Sequence, residues 1–193
     1  MKAKKATLVI FLFVTMLLSS QIVKAQLPTD PETGKVLFTG VVDLPNQTKE
    51  TIHKKAKLWI TSTLKSGDNM TELNDENSNQ VVGTGNLLLD SLPLYNKYYS
   101  KSAILNFKFI VFCKDNKLKY SVENFLLHYS MGLYNSAEII ETGLEDIKGS
   151  RLNMSKKNVE EFKKTTPVYL KKKIEMLIAD FVSYMKKVED NNW

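Results

Sequence analysis

"AILNFKFIVFCKDNKLKYSVENFLLHY" (103–129) decides the fold. Leu105, Phe107, Phe109, Val111 and Cys113 fall on alternate positions, with Asn106 and Lys108 between the first of them. A strand points successive side chains to opposite faces, so this spacing predicts a strand over 103–113 with one unbroken apolar face. Asp115-Asn116 is a two-residue turn signal. On the return, Leu118, Tyr120 and Val122 alternate with Lys119, Ser121 and Glu123. The phase then slips near Asn124, and Phe125 and Leu127 become the apolar members. One extra residue in a strand does this, so a β-bulge is expected there. The result is a long antiparallel hairpin with one greasy face that must be covered.

Working outward, "VVGTGNLLL" (81–89) and "KVLFTGVVDL" (35–44) read as further strands, rich in β-branched and apolar residues and bounded by turn formers. "TKETIHKKAKLWITSTL" (48–64) reads as a helix. Thr48 suits the N-cap and Glu50 the first turn. Ile52, Ala56, Trp59, Ile60 and Thr63 follow a 3.6-residue period, which gives the helix a face to bury. The polar stretch 66–80 holds a short expected strand at Met70–Asn74, and 90–102 reads as a loop. Residues 130–166 show no sustained period and read as an irregular connection, with at most a short helix over 155–164. A C-terminal helix is expected over 167–188, with Thr166 as N-cap and Pro167 in the first helical position. Its stripe is Leu170, Ile174, Leu177, Phe181, Tyr184 and Val188, widened by Ile178 and Met185. A stripe that broad suits docking on a sheet. The order is strand, helix, four strands, helix. That is an α+β antiparallel sheet with helices packed on one face.

The first 25 residues read as a secretory leader. Lys2, Lys4 and Lys5 precede an apolar run of 11 residues from Leu8 to Leu18, and Val23-Lys24-Ala25 suits cleavage before Gln26. The run is too short to span a bilayer, which takes about 20 residues. The chain is therefore expected to be exported, periplasmic or secreted, with no transmembrane anchor after cleavage. Four of the 27 basic residues lie in this leader and none of the 21 acidic ones, which leaves a net +2 on the rest. That weak field is no footprint for nucleic acid. Cys113 is the only cysteine, so no internal disulfide framework is available.

Each reactive-looking feature has a structural alternative. "ETGKV" (32–36) hints at a phosphate loop. A Gly-x-x-x-x-Gly-Lys-Ser/Thr loop between strand and helix would need Gly where Thr29 stands and Ser or Thr where Val36 stands. A strand follows instead, so the stretch reads as a turn. In "GTGNLL", Leu88 occupies the third glycine position of a dinucleotide loop. Gly83 and Gly85 share one strand face, where helix 48–64 can press closely. His53 and His128 are the only histidines, and a two-His metal site would need Asp or Glu to complete it. Cys113 shares its phase with Phe107, Phe109 and Val111 and reads as a buried, inert thiol. Acids cluster at Glu72, Asp75 and Glu76 and at Glu138, Glu141, Glu145 and Asp146, without a surrounding aromatic cleft, and read as solvated charges. No catalytic, cofactor-binding or metal-binding set is expected.

"LPTDPETGKVLFTGVVDLPNQTKETIHKKAKLWI" (27–60) resembles the start of a family of exported domains, mostly from Bacteroidota, described as a domain of unknown function with a TBP-like fold. The resemblance rests on the Thr33-Gly34-Lys35 opening before a short strand and on the Ala56/Trp59 pair in the helix. It continues in the Gly83-x-Gly85 strand and the basic-tipped hairpin with Tyr120 on its return. It covers 27–129. Leu118 and Cys113 depart from the family's pattern without pointing to chemistry. The resemblance implies a TBP-like core over 27–129 with the layout already read, and it implies no activity. Nor does it imply DNA binding, because function does not follow from fold.

Three functional readings stand at this point. The first is a non-catalytic exported module that offers the free sheet face, or a surface of Tyr95, Tyr98 and Tyr99, to an envelope protein, peptide or glycan. The second is a carrier holding a small apolar ligand between sheet and C-terminal helix, in a cavity lined by Phe107, Phe109, Phe125, Ile174, Leu177 and Phe181. The remote third is a hydrolase using Cys113 or the carboxylates.

Overall fold

The computed structural model describes residues 27–64, 79–90, 103–131, 134–139 and 156–187. Its elements are β1 (Phe38–Asp43), α1 (Lys49–Thr63), β2 (Gln80–Leu89), β3 (Ala103–Lys114), β4 (Lys117–Met131), β5 (Tyr134–Ile139) and α2 (Lys156–Lys186). The five strands form one antiparallel sheet in the order β1-β4-β3-β2, with β5 also paired to β4. β1 occupies the edge of β4 from Lys117 to Val122, and β5 takes the same edge from Leu126 to Met131.

The hairpin that dominates the sequence dominates the sheet. β3 and β4 pair from Lys114↔Lys117 at the turn to Ala103↔Tyr129. Asn116 holds φ 63° in the turn. Asn takes the left-handed region more readily than most residues. The expected bulge is present. Asn124 has φ 56°, and the pairing shifts between Asn106 and Lys108 on the facing strand. That one residue keeps Phe125 and Leu127 on the same face as Leu118 and Val122, all four buried.

Both helices cover this one face. Thr48 caps α1, its Oγ1 accepting from Thr51 N at 3.3 Å, and Glu50 sits in the first turn as expected. Ile52, Ala56, Trp59 and Ile60 are buried, whereas Thr63 is exposed. The stripe rotates away from the sheet at the last turn, where Leu64 takes the inward position in place of Thr63. Gly83 and Gly85 lie beneath α1. A Cβ at Gly83 would overlap Ile60 Cγ2, and one at Gly85 would meet Phe107 and, at 3.1 Å, Leu64. The glycines thus let the helix approach the strand, as their shared face suggests. Gly83→Ala is expected to push α1 outward, because the Ile60 γ-methyl is held by its branched carbon and cannot swing aside. Overpacking of this kind costs about 1–3 kcal/mol, read as a lowered urea midpoint with an unchanged slope.

The C-terminal half of the chain corrects two expectations. The segment 130–166, expected to be irregular, contains β5 and the first turns of α2. The helix expected over 167–188 starts at Lys156 and runs unbroken for 31 residues, with Pro167 inside it. Thr166 is therefore not an N-cap but a buried helical residue. Proline removes one N–H from a helix interior and crowds the carbonyl four residues back. Here the apolar stripe continues upstream of it. Phe162, Thr166, Leu170 and Ile174, four residues apart, are all buried, and the apolar members belong to the same core as Phe181 and Met185. Packing of Phe162 holds the first turns in helical continuity past the proline. The described elements run strand, helix, four strands and helix, but the fourth of those strands is β5, which was not among the strands expected. The strand expected at Met70–Asn74 lies outside the described residues.

Candidate functional site

The residues named as a cavity lining are brought together, and they pack on one another. Phe109 meets Phe181 at 5.0 Å between ring centroids, Phe107 meets Phe125 at 6.4 Å, and Phe38 meets Phe125 at 5.8 Å. Ile174 is buried beside them and Leu177 is half-buried against the cluster. The residue that sequence reasoning did not place there is Trp59. Its ring lies 5.3 Å from Phe109 and 4.9 Å from Phe181, so it closes the layer between sheet and α2. These side chains form a core. Tyr95, Tyr98 and Tyr99 lie outside the described residues.

A polar clasp accompanies the aromatic one. Lys55 is only 5 % exposed, and its Nζ donates to the carbonyls of Met185 at 3.0 Å and Lys187 at 2.7 Å. The last carbonyls of a helix have no partner within it and carry partial negative charge, so a buried ammonium there satisfies both needs. One turn along α1, Trp59 Nε1 donates to Asp180 Oδ2 at 2.9 Å. The sequence held one hint: Lys55 stands three residues after Ile52 and four before Trp59, on the apolar stripe.

The reactive-looking features resolve individually. In the 29–36 turn, Asp30 Oδ1 accepts from the backbone N–H of Glu32 at 2.7 Å and Thr33 at 3.2 Å, while Gly34 N donates to Asp30 O at 2.8 Å. The N–H groups that would cradle a phosphate are already bonded to Asp30. Gly34 sits at φ 68° and Thr29 bridges Val36, so "ETGKV" is the tip of a tight turn. His53 belongs to α1 on one side of the sheet and His128 to β4, paired with Ile104 and Ala137. The structure does not bring them together. Among the described residues no group of three or more His, Cys, Asp or Glu can hold a metal. Glu138 lies in β5, and the other acids of the two expected clusters lie outside the described residues.

Cys113 is buried, and burial pushes its thiol from 9.0 up to about 11. A thiol in this state is a poor nucleophile at neutral pH. Native protein at pH 8 is expected to resist iodoacetamide and to be alkylated once unfolded in urea; mass spectrometry counts the adducts. The shift also sets a sign. The folded thiol keeps its proton where the unfolded one ionises, so this contribution to stability is whole below pH 9 and declines as pH rises toward about 11.

The other face of the sheet carries no described helix. By register, Val41, Lys119 and Phe112 stand side by side on β1, β4 and β3, and Asp43, Lys117 and Lys114 form the next row toward the turn. Val41 is 65 % exposed and Phe112 42 %. At the opposite end of the same face, Leu88 (57 %) pairs with Ile104 (43 %). Between the two ends, Ile110 and Ser121 are shielded. Isolated exposed apolar residues need no explanation, but four on a face that no described helix covers, two at each end, mark it as the candidate binding surface. Among the described residues no helix is long and apolar enough to cross a membrane.

Residues 38–127 match the family model described as "Domain of unknown function (DUF4468) with TBP-like fold". The matched stretch runs from the first residue of β1 to near the end of β4. Among solved structures, a TBP-like protein from Parabacteroides distasonis is similar with a TM-score of 0.56 and 15% identity, over 84% of this chain and 99% of that one. A DUF4468 family protein from Bacteroides ovatus is similar with a TM-score of 0.56 and 17% identity, over 89% of this chain and 95% of that one. At such identities the likeness shows the fold alone, and that fold is the α+β, TBP-like one. No curated protein matches the chain.

Proposed function

We propose, from the match of residues 38–127 to the DUF4468 family model with its TBP-like fold, that this chain is a non-catalytic binding module. It is exported to the bacterial cell envelope after cleavage near Ala25 and holds a protein, peptide or glycan partner on the open face of its sheet. One observation carries the reading: α1 and α2 both pack on one face, and the other presents Val41, Phe112, Leu88 and Ile104 to solvent. The buried Cys113 with its raised pKa and the separated histidines lend no support to a hydrolase built on the thiol. The carrier reading gains nothing from rings that already fill one another's contacts. The net +2 beyond the leader speaks against nucleic acid.

Photo-crosslinking in cells tests the reading. A crosslinking amino acid at Phe112 or Ile104 is expected to capture a partner. The same group at Leu58 or Met176, exposed on the helices, is expected to capture none. Crosslinks confined to the helix positions would overturn it. Fractionation with N-terminal sequencing checks export: the mature protein should begin at Gln26.

A further inference from the structure

We propose that the hairpin end of the open face binds an acidic, extended peptide segment that carries apolar side chains. This rests on the open face being the docking surface and narrows what docks there. The charges along these rows do not balance. Asp43 stands opposite Lys117, and Glu123 opposite Lys108. Among the described residues Lys114 pairs with Lys117 alone, and Lys119 faces Val41 on one side and Phe112 on the other. Like charges directly opposite on neighbouring strands are unfavourable, so the Lys114/Lys117 pair is a feature that a partner's carboxylate would relieve. Lys114, Lys117 and Lys119 are all exposed. Phe112 sits among them, with Lys119 directly across and Lys114 two residues on along the same strand and face. Val41 lies beyond Lys119, about 10 Å from Phe112 at the usual strand spacing. An apolar, cationic, apolar row beside a row of Asp43 and two lysines complements an extended chain in which every second side chain, those on one face, is in turn acidic and apolar.

A peptide fits better than an anionic membrane surface. Asp43 lies in the row of Lys117 and Lys114, and Glu123 lies further along β4 opposite Lys108, so a continuous negative plane would meet these acids as well as the lysines. Discrete carboxylates can reach Lys114 and Lys119 and avoid the acids.

The test is fluorescence anisotropy of the purified chain with a labelled twelve-residue peptide of repeating Glu-Ser-Leu-Ser, which carries Glu and Leu in turn on one face when extended (the Glu-Leu peptide), and a repeating Lys-Ser-Leu-Ser counterpart (the Lys-Leu peptide). The Glu-Leu peptide is expected to bind, more weakly as salt rises, and the Lys-Leu peptide not. Affinity should drop at least tenfold in Lys114→Glu/Lys119→Glu and in Phe112→Ser. It should hold in Lys54→Glu/Lys57→Glu, which alters exposed lysines of α1. Thermal melts of each variant confirm folding; these positions are exposed, so melting points should stay close to the parent's. Equal binding of both peptides, no binding of either, or unchanged affinity in the double-charge variant would overturn the proposal. So would binding to phosphatidylserine vesicles, but not to the peptide, with the same dependence on Lys114 and Lys119. If crosslinks at Phe112 persist while the peptide fails, the acidic partner is wrong and the docking face stands. If the peptide binds and Phe112 yields no crosslink in cells, the docking reading fails on its own.

Discussion

Trp59→Ala is expected to lower the stability of the fold by about 4 kcal/mol, within the range for removing a buried tryptophan. The indole is 1 % exposed and contacts Phe109 and Phe181 edge-on or tilted, at 5.3 and 4.9 Å. These rings come from the central strand and from the C-terminal helix, so the cavity left by alanine lies where three elements meet. Collapse into it would require α1 to move toward the sheet, and Ile60 already rests on Gly83. The neighbours therefore cannot relax far, which places the cost toward the upper part of the range. A second variant separates packing from the hydrogen bond. Trp59→Phe keeps most of the ring contacts and loses the Nε1 donor to Asp180, whose side chain is exposed and can turn to water. Its expected cost is about 1 kcal/mol in hydrogen bonding, plus a smaller gap than alanine leaves. Urea unfolding followed by far-UV circular dichroism measures both. If the two variants were equally destabilised, the hydrogen bond rather than the aromatic layer would hold α1 to α2.

Lys55→Met is expected to cost about 2 kcal/mol and to loosen the end of α2 selectively. Methionine retains an unbranched apolar stem of similar length, so packing along α1 changes little. What disappears is an ammonium bonded to two terminal carbonyls. A hydrogen bond to a charged group contributes about 1.5–3 kcal/mol, and the charge favours the negative end of the helix dipole. Relief of lysine's own desolvation offsets part of the loss. The carbonyls of Met185 and Lys187 would then need water at a site where Met185 is fully buried. Amide exchange should therefore rise in the last turn of α2, around Phe181–Lys187, more than in β3 or β4. Because the ammonium is buried, the effect should persist at 1 M salt, where the screening length is about 3 Å. Uniform faster exchange across the sheet would instead mean that the clasp supports the whole fold.

The parts of this fold that were readable in one dimension are those whose information is local. The β3–β4 hairpin repeats one rule over more than twenty residues, and a two-residue turn joins its halves. The alternation fixes which face is buried, and the break in it at Asn124 locates the bulge to the residue. Thr48 and Glu50 mark the start of α1 within its own first turn. Cys113 is readable as inert because its phase matches that of four buried neighbours. The proposed docking surface was half legible: alternation assigns Lys108 and Asn106 to the face away from the helices. Only the register between strands sets Lys119 between Val41 and Phe112.

What escaped is non-local. β5 is six residues long and pairs with the far end of β4, an edge that β1 leaves free. Nothing in "YNSAEI" announces that vacancy. Thr166-Pro167 is a good helix start by local chemistry, and it was overruled because Phe162, one turn upstream, packs into the core. Lys55 is one of three lysines in "HKKAK" (53–57), and only the arrival of α2 more than a hundred residues later makes it a cap while Lys54 and Lys57 remain in solvent. Periodicity and turn chemistry, properties of neighbouring residues, settle which segments are strands and helices and which side of each is apolar. Which element meets which, and so which lysine is buried and which phenylalanine is left exposed, depends on contacts between residues far apart in the chain. Those energies exist only once the sheet and helices have come together.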